Sequence, residues 1–182
     1  WPGALSDLGA TLDRLAARAW PALEMEPLDG WWLRFNEGLH RRVNSVFPEH
    51  DSALALDRKL AAVEGFYRER ALPPRFQISP ACQPPNLDRF LTSRGYATES
   101  GVDIMIANAA SVARQTGSGV HVERLVEINS DWLDVHMAEA ADGETKVRKG
   151  RMLARIELPH LFALAVADGK PVAAGLGICE EG

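Results

Sequence analysis

The stretch Gly30–Pro48, GWWLRFNEGLHRRVNSVFP, constrains the fold more than any other part of the chain. Trp32, Leu33 and Phe35 stand before an Asn36-Glu37-Gly38 break, and Val43, Val46 and Phe47 follow it. Aromatic and β-branched residues on both sides of an Asn/Gly signal predict a β-hairpin. Trp31 and Trp32 fall on opposite faces of its first strand, so one can enter the core while the other covers a helix or a second unit. On either side of this stretch the apolar spacing turns helical. Leu5, Leu8, Leu12, Leu15, Ala16 and Ala19 recur at intervals of three and four. They predict a helix of about 15 residues, capped by Ser6 and ended by Pro21. Leu56, Leu60, Val63 and Tyr67 line a second helix, closed by Pro73-Pro74. A hairpin set between helices predicts an α/β fold of the α+β kind, with the hairpin starting a mixed sheet.

Beyond this point the reading predicts a short strand over Arg75–Ser79. A short helix with Leu87, Phe90 and Leu91 follows, capped by Asn86 and ended at Gly95. Val102, Ile104 and Ile106 alternate with Asp103 and Met105, the pattern of a strand with one buried face. Asn108–Gly119 (NAASVARQTGSG) is polar and reads as a linker. A second unit then opens with a strand through Val120, Val122, Leu125 and Val126. Asn129 or Ser130 caps a helix holding Trp132, Leu133, His136 and Met137. Asp142-Gly143 breaks that helix, and a more polar one runs to about Arg155. Leu161–Ala167 and Pro171–Cys179 form two strands around an Asp168-Gly169 turn. The expected units are 1–107, a linker at 108–119, and 120–182. The last strand would be an open edge of small apolar residues, covered by the first unit or by a strand beyond the chain.

The 25 acidic and 20 basic residues leave a net charge of -5, which gives no electrostatic case for nucleic acid. No apolar run approaches the roughly 20 residues of a membrane span. WPGALSDLGATLDRL lacks the basic start and apolar block of a signal peptide. Cys82 and Cys179 lie far apart with no CxxC partner and read as free thiols of a reducing cytoplasm. His40, His50, His121 and His160 show no HxH or HExxH spacing, so no metal site is expected. Cys82 has no neighbouring histidine, and Ser45 and Ser79 lack a G-x-S-x-G setting.

In order and wording the chain resembles the GNAT superfamily of N-acetyltransferases, in its bacterial tandem form. The runs RAWPALE, DGWWLRF, RRVNSV, FYRERALPPRFQISP and LDRFLTSRGY resemble a degenerate first domain, and AVADGKPVAAGLG the second hairpin of an active one. The resemblance implies a degenerate GNAT-like domain followed by the front half of a second. It implies acetyl transfer from acetyl-CoA to an amine of a small molecule or peptide. The alternative is a non-catalytic binding or dimerisation module; a homodimer is left open. The family's R/Q-x-x-G-x-G/A loop, whose glycines turn backbone N–H groups toward the pyrophosphate, is absent. Its counterpart in the first unit is Pro48-Glu49-His50-Asp51-Ser52, without glycine and with two carboxylates. In the second unit the loop would follow Gly182. The chain is therefore expected to be a fragment that is inactive alone, with its cofactor-binding and catalytic residues unassigned. A third arrangement folds both units as one permuted domain.

Four residues stand out as substrate contacts. Arg42 and Asn44 lie together on one face of the expected second strand, either toward a cleft or as an exposed polar face. Trp132 and His136 are four apart on one helix, where the resemblance places the acceptor pocket; a half-buried aromatic beside a histidine is the plainer account. Glu180 and Glu181 are acid/base groups at a site mouth or a solvated turn.

Overall fold

A computed structural model of the chain describes residues 2–51, 53–99, 101–115, 120–137 and 142–180, with side chains described from residue 8 onward. Asp29 and Gly30 take positive φ, 45° and 88°, the left-handed pair of a tight hairpin turn. That turn folds β1 (Glu24–Leu28) antiparallel onto β2 (Trp31–Phe35), with Leu28 opposite Trp31. The tight hairpin thus precedes Trp31 instead of following it. β1 escapes sequence reading because Glu24, Met25, Glu26 and Pro27 show no alternation and stay exposed. Pro27 is tolerated because β1 is an edge strand. Gly30 is required twice: its φ is left-handed, and a Cβ there would sit 2.6 Å from the His50 carbonyl oxygen.

The expected second strand shrinks to β3 (Val46–Phe47), which pairs antiparallel with β2. Arg41–Val43 is a single 3-10 turn. Arg42 and Asn44 therefore do not share a strand face; the chain from Asn36 to Ser45 is a folded loop. The predicted strand at Arg75–Ser79 is reduced to one parallel bridge, Phe76 to Val46. The segment Val102–Ile106 forms no strand, and Val102 and Met105 are 74% and 91% exposed. Alternation makes a strand only when a neighbour supplies ladder hydrogen bonds, and among the described residues none does here.

α2 (Leu56–Glu69) and α3 (Leu87–Ser93) pack on this sheet through Leu60, Val63, Tyr67 and Leu87, against Trp31 and Leu33. Trp31 takes the core position; Trp32 donates from Nε1 to Glu49 Oε2 at 2.9 Å, within the same half. The buried Lys59 ammonium ties α2 to the hairpin turn, donating to the Asp29 carbonyl at 2.7 Å and pairing with its carboxylate at 3.0 Å. Asn86 precedes α3 without a side-chain cap, while Gly95 takes the expected left-handed position at φ 85°. α1 (Pro2–Ala19) begins before Ser6, which lies inside the helix and is not its cap. The expected linker contains a short helix, α4 (Ala109–Ala113), capped by Asn108; residues 116–119 lie outside the described residues.

The second half follows its pattern closely. β4 (His121–Leu125), β5 (His160–Ala167) and β6 (Lys170–Ile178) form an antiparallel sheet in that order. Asp168 and Gly169 turn β5 into β6 with φ of 51° and 72°. Asn129 caps α5 (Ser130–His136), accepting from Trp132 N at 2.9 Å, and Asp142 caps α6 (Gly143–Leu153), accepting from Thr145 N at 2.7 Å. β6 is an outer strand, and no strand of the first sheet pairs with it. Two antiparallel sheets joined by no ladder replace the expected mixed sheet, within an α/β architecture.

Candidate functional site

The loop from Asn36 to Ser45 joins the two halves. Asn44, 2% exposed, organises it. Its Oδ1 accepts from Asn36 N at 2.8 Å and Gly38 N at 3.1 Å; its Nδ2 donates to the Leu39 and His40 carbonyls at 2.8 and 2.9 Å. All four hydrogen-bonding positions of the amide are used, so none is left for a ligand. The loop so held presents Val43 to the second core, where it packs with Trp132, Met152, Leu153 and Phe162. α6 and the turn after it grip the loop from the other side: Arg148 pairs with Glu37 at 3.4 Å, and Arg155, two residues past the helix, donates to Asn36 Oδ1.

Four elements meet where this loop touches the second half. Trp20, at the end of α1, donates from Nε1 to His40 Nδ1 at 3.3 Å. Its indole meets the His40 ring edge-on, with centroids 5.3 Å apart, and the His136 ring at 6.5 Å. His136 stacks on Trp132, with centroids 4.6 Å apart and 19° between planes. Trp132 is fully buried and donates to the Gly175 carbonyl at 3.0 Å, fixing α5 on β6. Lys149 comes from α6, on the face that also carries Met152 and Leu153, and is 2% exposed. Its Nζ stands 4.1 Å from the centre of the Trp20 ring, a cation–π contact. No carboxylate among the described residues pairs with it.

The electrostatics follow from that composition. Loss of hydration lowers the Lys149 ammonium to about 8. His40 falls to about 4, chiefly by desolvation and further by the positive charges of Lys149, Arg42, His136 and Arg41. The indole N–H on Nδ1 acts in the same sense, because it holds the neutral tautomer with the proton on Nε2. His136 is lowered as well, by desolvation and by Lys149. At neutral pH the cluster is one buried cation beside two neutral imidazoles whose rings keep exposed edges.

Of the four residues singled out in the sequence, Trp132 and His136 belong to this cluster. Arg42 borders it: its charge acts on His40, and its carbonyl accepts from the Arg34 guanidinium and from Ser45 Oγ. Asn44 is committed to the loop. Trp20, His40 and Lys149 were not anticipated. Lys149 carried a legible signal, since a lysine three and four residues before Met152 and Leu153 falls on the apolar side of its helix. Glu180 pairs with Arg18, and Glu181 lies outside the described residues.

The loop after β3, which the resemblance sets opposite a phosphate loop, leaves no room for acetyl-CoA. α1 lies across it: Asp13 accepts from Ser79 Oγ, and the space among Asp13, Phe47, Glu49 and Ser79 is about 10 Å³, room for about one water.

A family model described as "Probable histone acetyltransferase Rv0428c C-terminal" matches residues 9–174. YobR of Bacillus subtilis (strain 168), described as an uncharacterized N-acetyltransferase, is 34% identical over 125 residues, which are 68% of this chain and 49% of that relative. The chain thus spans about half the length of the curated relative it matches. No solved structure matches it. With most of both halves inside the matched range, the chain belongs to the family of the Rv0428c C-terminal acetyltransferase region.

Proposed function

We propose that this chain serves acetyl transfer of the GNAT type, from acetyl-CoA to an amine of a small molecule or peptide. The observation that carries the reading is the family match across residues 9–174. The printed name of the Bacillus relative, an N-acetyltransferase, supports it. Within the chain, the first half acts as scaffold: its cleft after β3 is filled by α1. The donor is held by residues other than those of this closed cleft. The second half contributes the acceptor side. α5 is pinned to β6 through Trp132, and it presents His136 beside His40 and Lys149. Both imidazoles are neutral at pH 7; His136 is the one to accept a proton from an incoming amine, because the free lone pair of His40 is held by the Trp20 N–H.

The test is transfer of labelled acetyl from acetyl-CoA to a panel of primary amines by the gene product carrying this chain. Transfer that needs both the amine and an intact Trp132 supports the reading. No transfer to any amine class overturns it.

A further inference from the structure

Among the described residues, no carboxylate pairs with the Lys149 ammonium in the cluster around Trp20. We infer that Trp20, His40, His136 and Lys149 form a binding site for a small oxyanion, the carboxylate or phosphate group of a ligand. Three basic groups gather on one indole: Nζ of Lys149 at 4.1 Å, the His40 ring at 5.3 Å and the His136 ring at 6.5 Å. They come from three separate elements, so the convergence is built by the fold and not by helical neighbours. The charged groups that act on the rings from those elements are basic: Arg42 and Arg41 from the loop, the latter paired with Glu99 at 2.6 Å, His136 from α5 and Lys149 from α6. In a protein with a net charge of -5, such a concentration of basic groups is a local exception.

A buried ammonium without a carboxylate is unfavourable, and a bound anion removes that penalty. The imidazoles complete the site. Each is neutral when the corner is empty, lowered chiefly by desolvation and further by the neighbouring positive charge. An anion offsets the positive field and raises the proton affinity of both rings, which donate to it from the N–H each already carries. His40 keeps the hydrogen bond it accepts from Trp20 until it protonates. Binding is therefore tighter at pH 6 than at pH 8, because the Lys149 ammonium, lowered to about 8, is fully charged only at the lower pH.

Under the acetyl-transfer reading this ligand is the acceptor itself, an amine that also carries a carboxylate or phosphate. A lysine-rich peptide would meet like charge here. Anion binding does not depend on that reading, and it is measured without acetyl-CoA.

The test is proton NMR of the histidine rings during separate titrations of the chain with sodium acetate and inorganic phosphate. The expected result is movement of the His40 and His136 ring signals, with both titration midpoints rising by about one pH unit at saturation. Response to acetate assigns a carboxylate ligand, and response to phosphate alone assigns a phosphoryl group. Lys149→Met should weaken the response at least tenfold, while Lys149→Arg, which keeps the charge, should retain most of it. Should neither anion move either ring, or should Lys149→Met respond like the wild type, the site is not there. If the rings respond but acetyl transfer fails for every amine, the anion site stands and the acetyl-transfer reading falls.

Discussion

Replacing Lys149 by methionine should make the protein more stable. The folded state lowers this ammonium from 10.5 to about 8. A lysine so shifted holds its charge at a cost of about 3 kcal/mol at neutral pH, at roughly 1.4 kcal/mol per pH unit. The cation–π contact with Trp20 returns about 1–2 kcal/mol of that. Methionine has a similar length and helix propensity, so it keeps the packing beside Met152 and Leu153. The net gain at pH 7 is therefore about 1–2 kcal/mol. Its pH dependence is the sharper test. The unfolded chain binds this proton more tightly than the folded one, so wild-type stability rises as pH climbs from about 8 toward 10.5. The advantage of Lys149→Met should be full below about pH 8 and gone above 10.5. Urea unfolding followed by tryptophan fluorescence, at pH 7 through 10.5, measures both quantities. A destabilised variant at pH 7, or an advantage that does not change with pH, would refute the claim that the ammonium is unpaired.

Three further outcomes are expected. Asn44→Ala removes the partner of two backbone donors and two carbonyls in one loop, and should lower stability by about 2–4 kcal/mol in the same assay. Gly30→Ala combines a left-handed φ with a Cβ 2.6 Å from a backbone oxygen, and should lower the thermal midpoint by about 5 °C or more. His40 should titrate by NMR near 4 and not near 6.5. Because its folded value is depressed, the stability it contributes is present above about pH 6.5 and lost as pH falls toward 4; a His40→Gln variant should lack that slope.

The second half was the more legible in sequence. Its strands carry the apolar residues, its caps are Asn129 and Asp142, and Asp168-Gly169 is an unmistakable turn. Local chemistry there agrees with the tertiary result. The first half misled in two ways. β1 is built from Glu24, Met25, Glu26 and Pro27, of which the two glutamates and the proline are disfavoured in strands, and it forms because the Asp29-Gly30 turn folds it onto β2. The run Arg41–Ser45 looks like strand, but the Asn44 amide satisfies the loop's backbone groups, and Val43 has a better burial site in the other half. The site divided the same way. Trp132 and His136 were visible as an i, i+4 pair on one helix. Trp20 and His40 reach them only through contacts between distant parts of the chain, which spacing cannot show.

Val43 has a consequence for how the protein is made. Its packing partners, Trp132 to Leu164, lie roughly 90 or more residues downstream. A ribosome releases the first sheet, and the loop with it, well before those partners emerge. Through that interval Val43 has only the upstream members of its cluster, Trp20, Ala22 and Leu39, to pack against. The burial of Val43 is therefore completed only after the second half has been made, which ties the Asn36–Ser45 loop to a late step of folding.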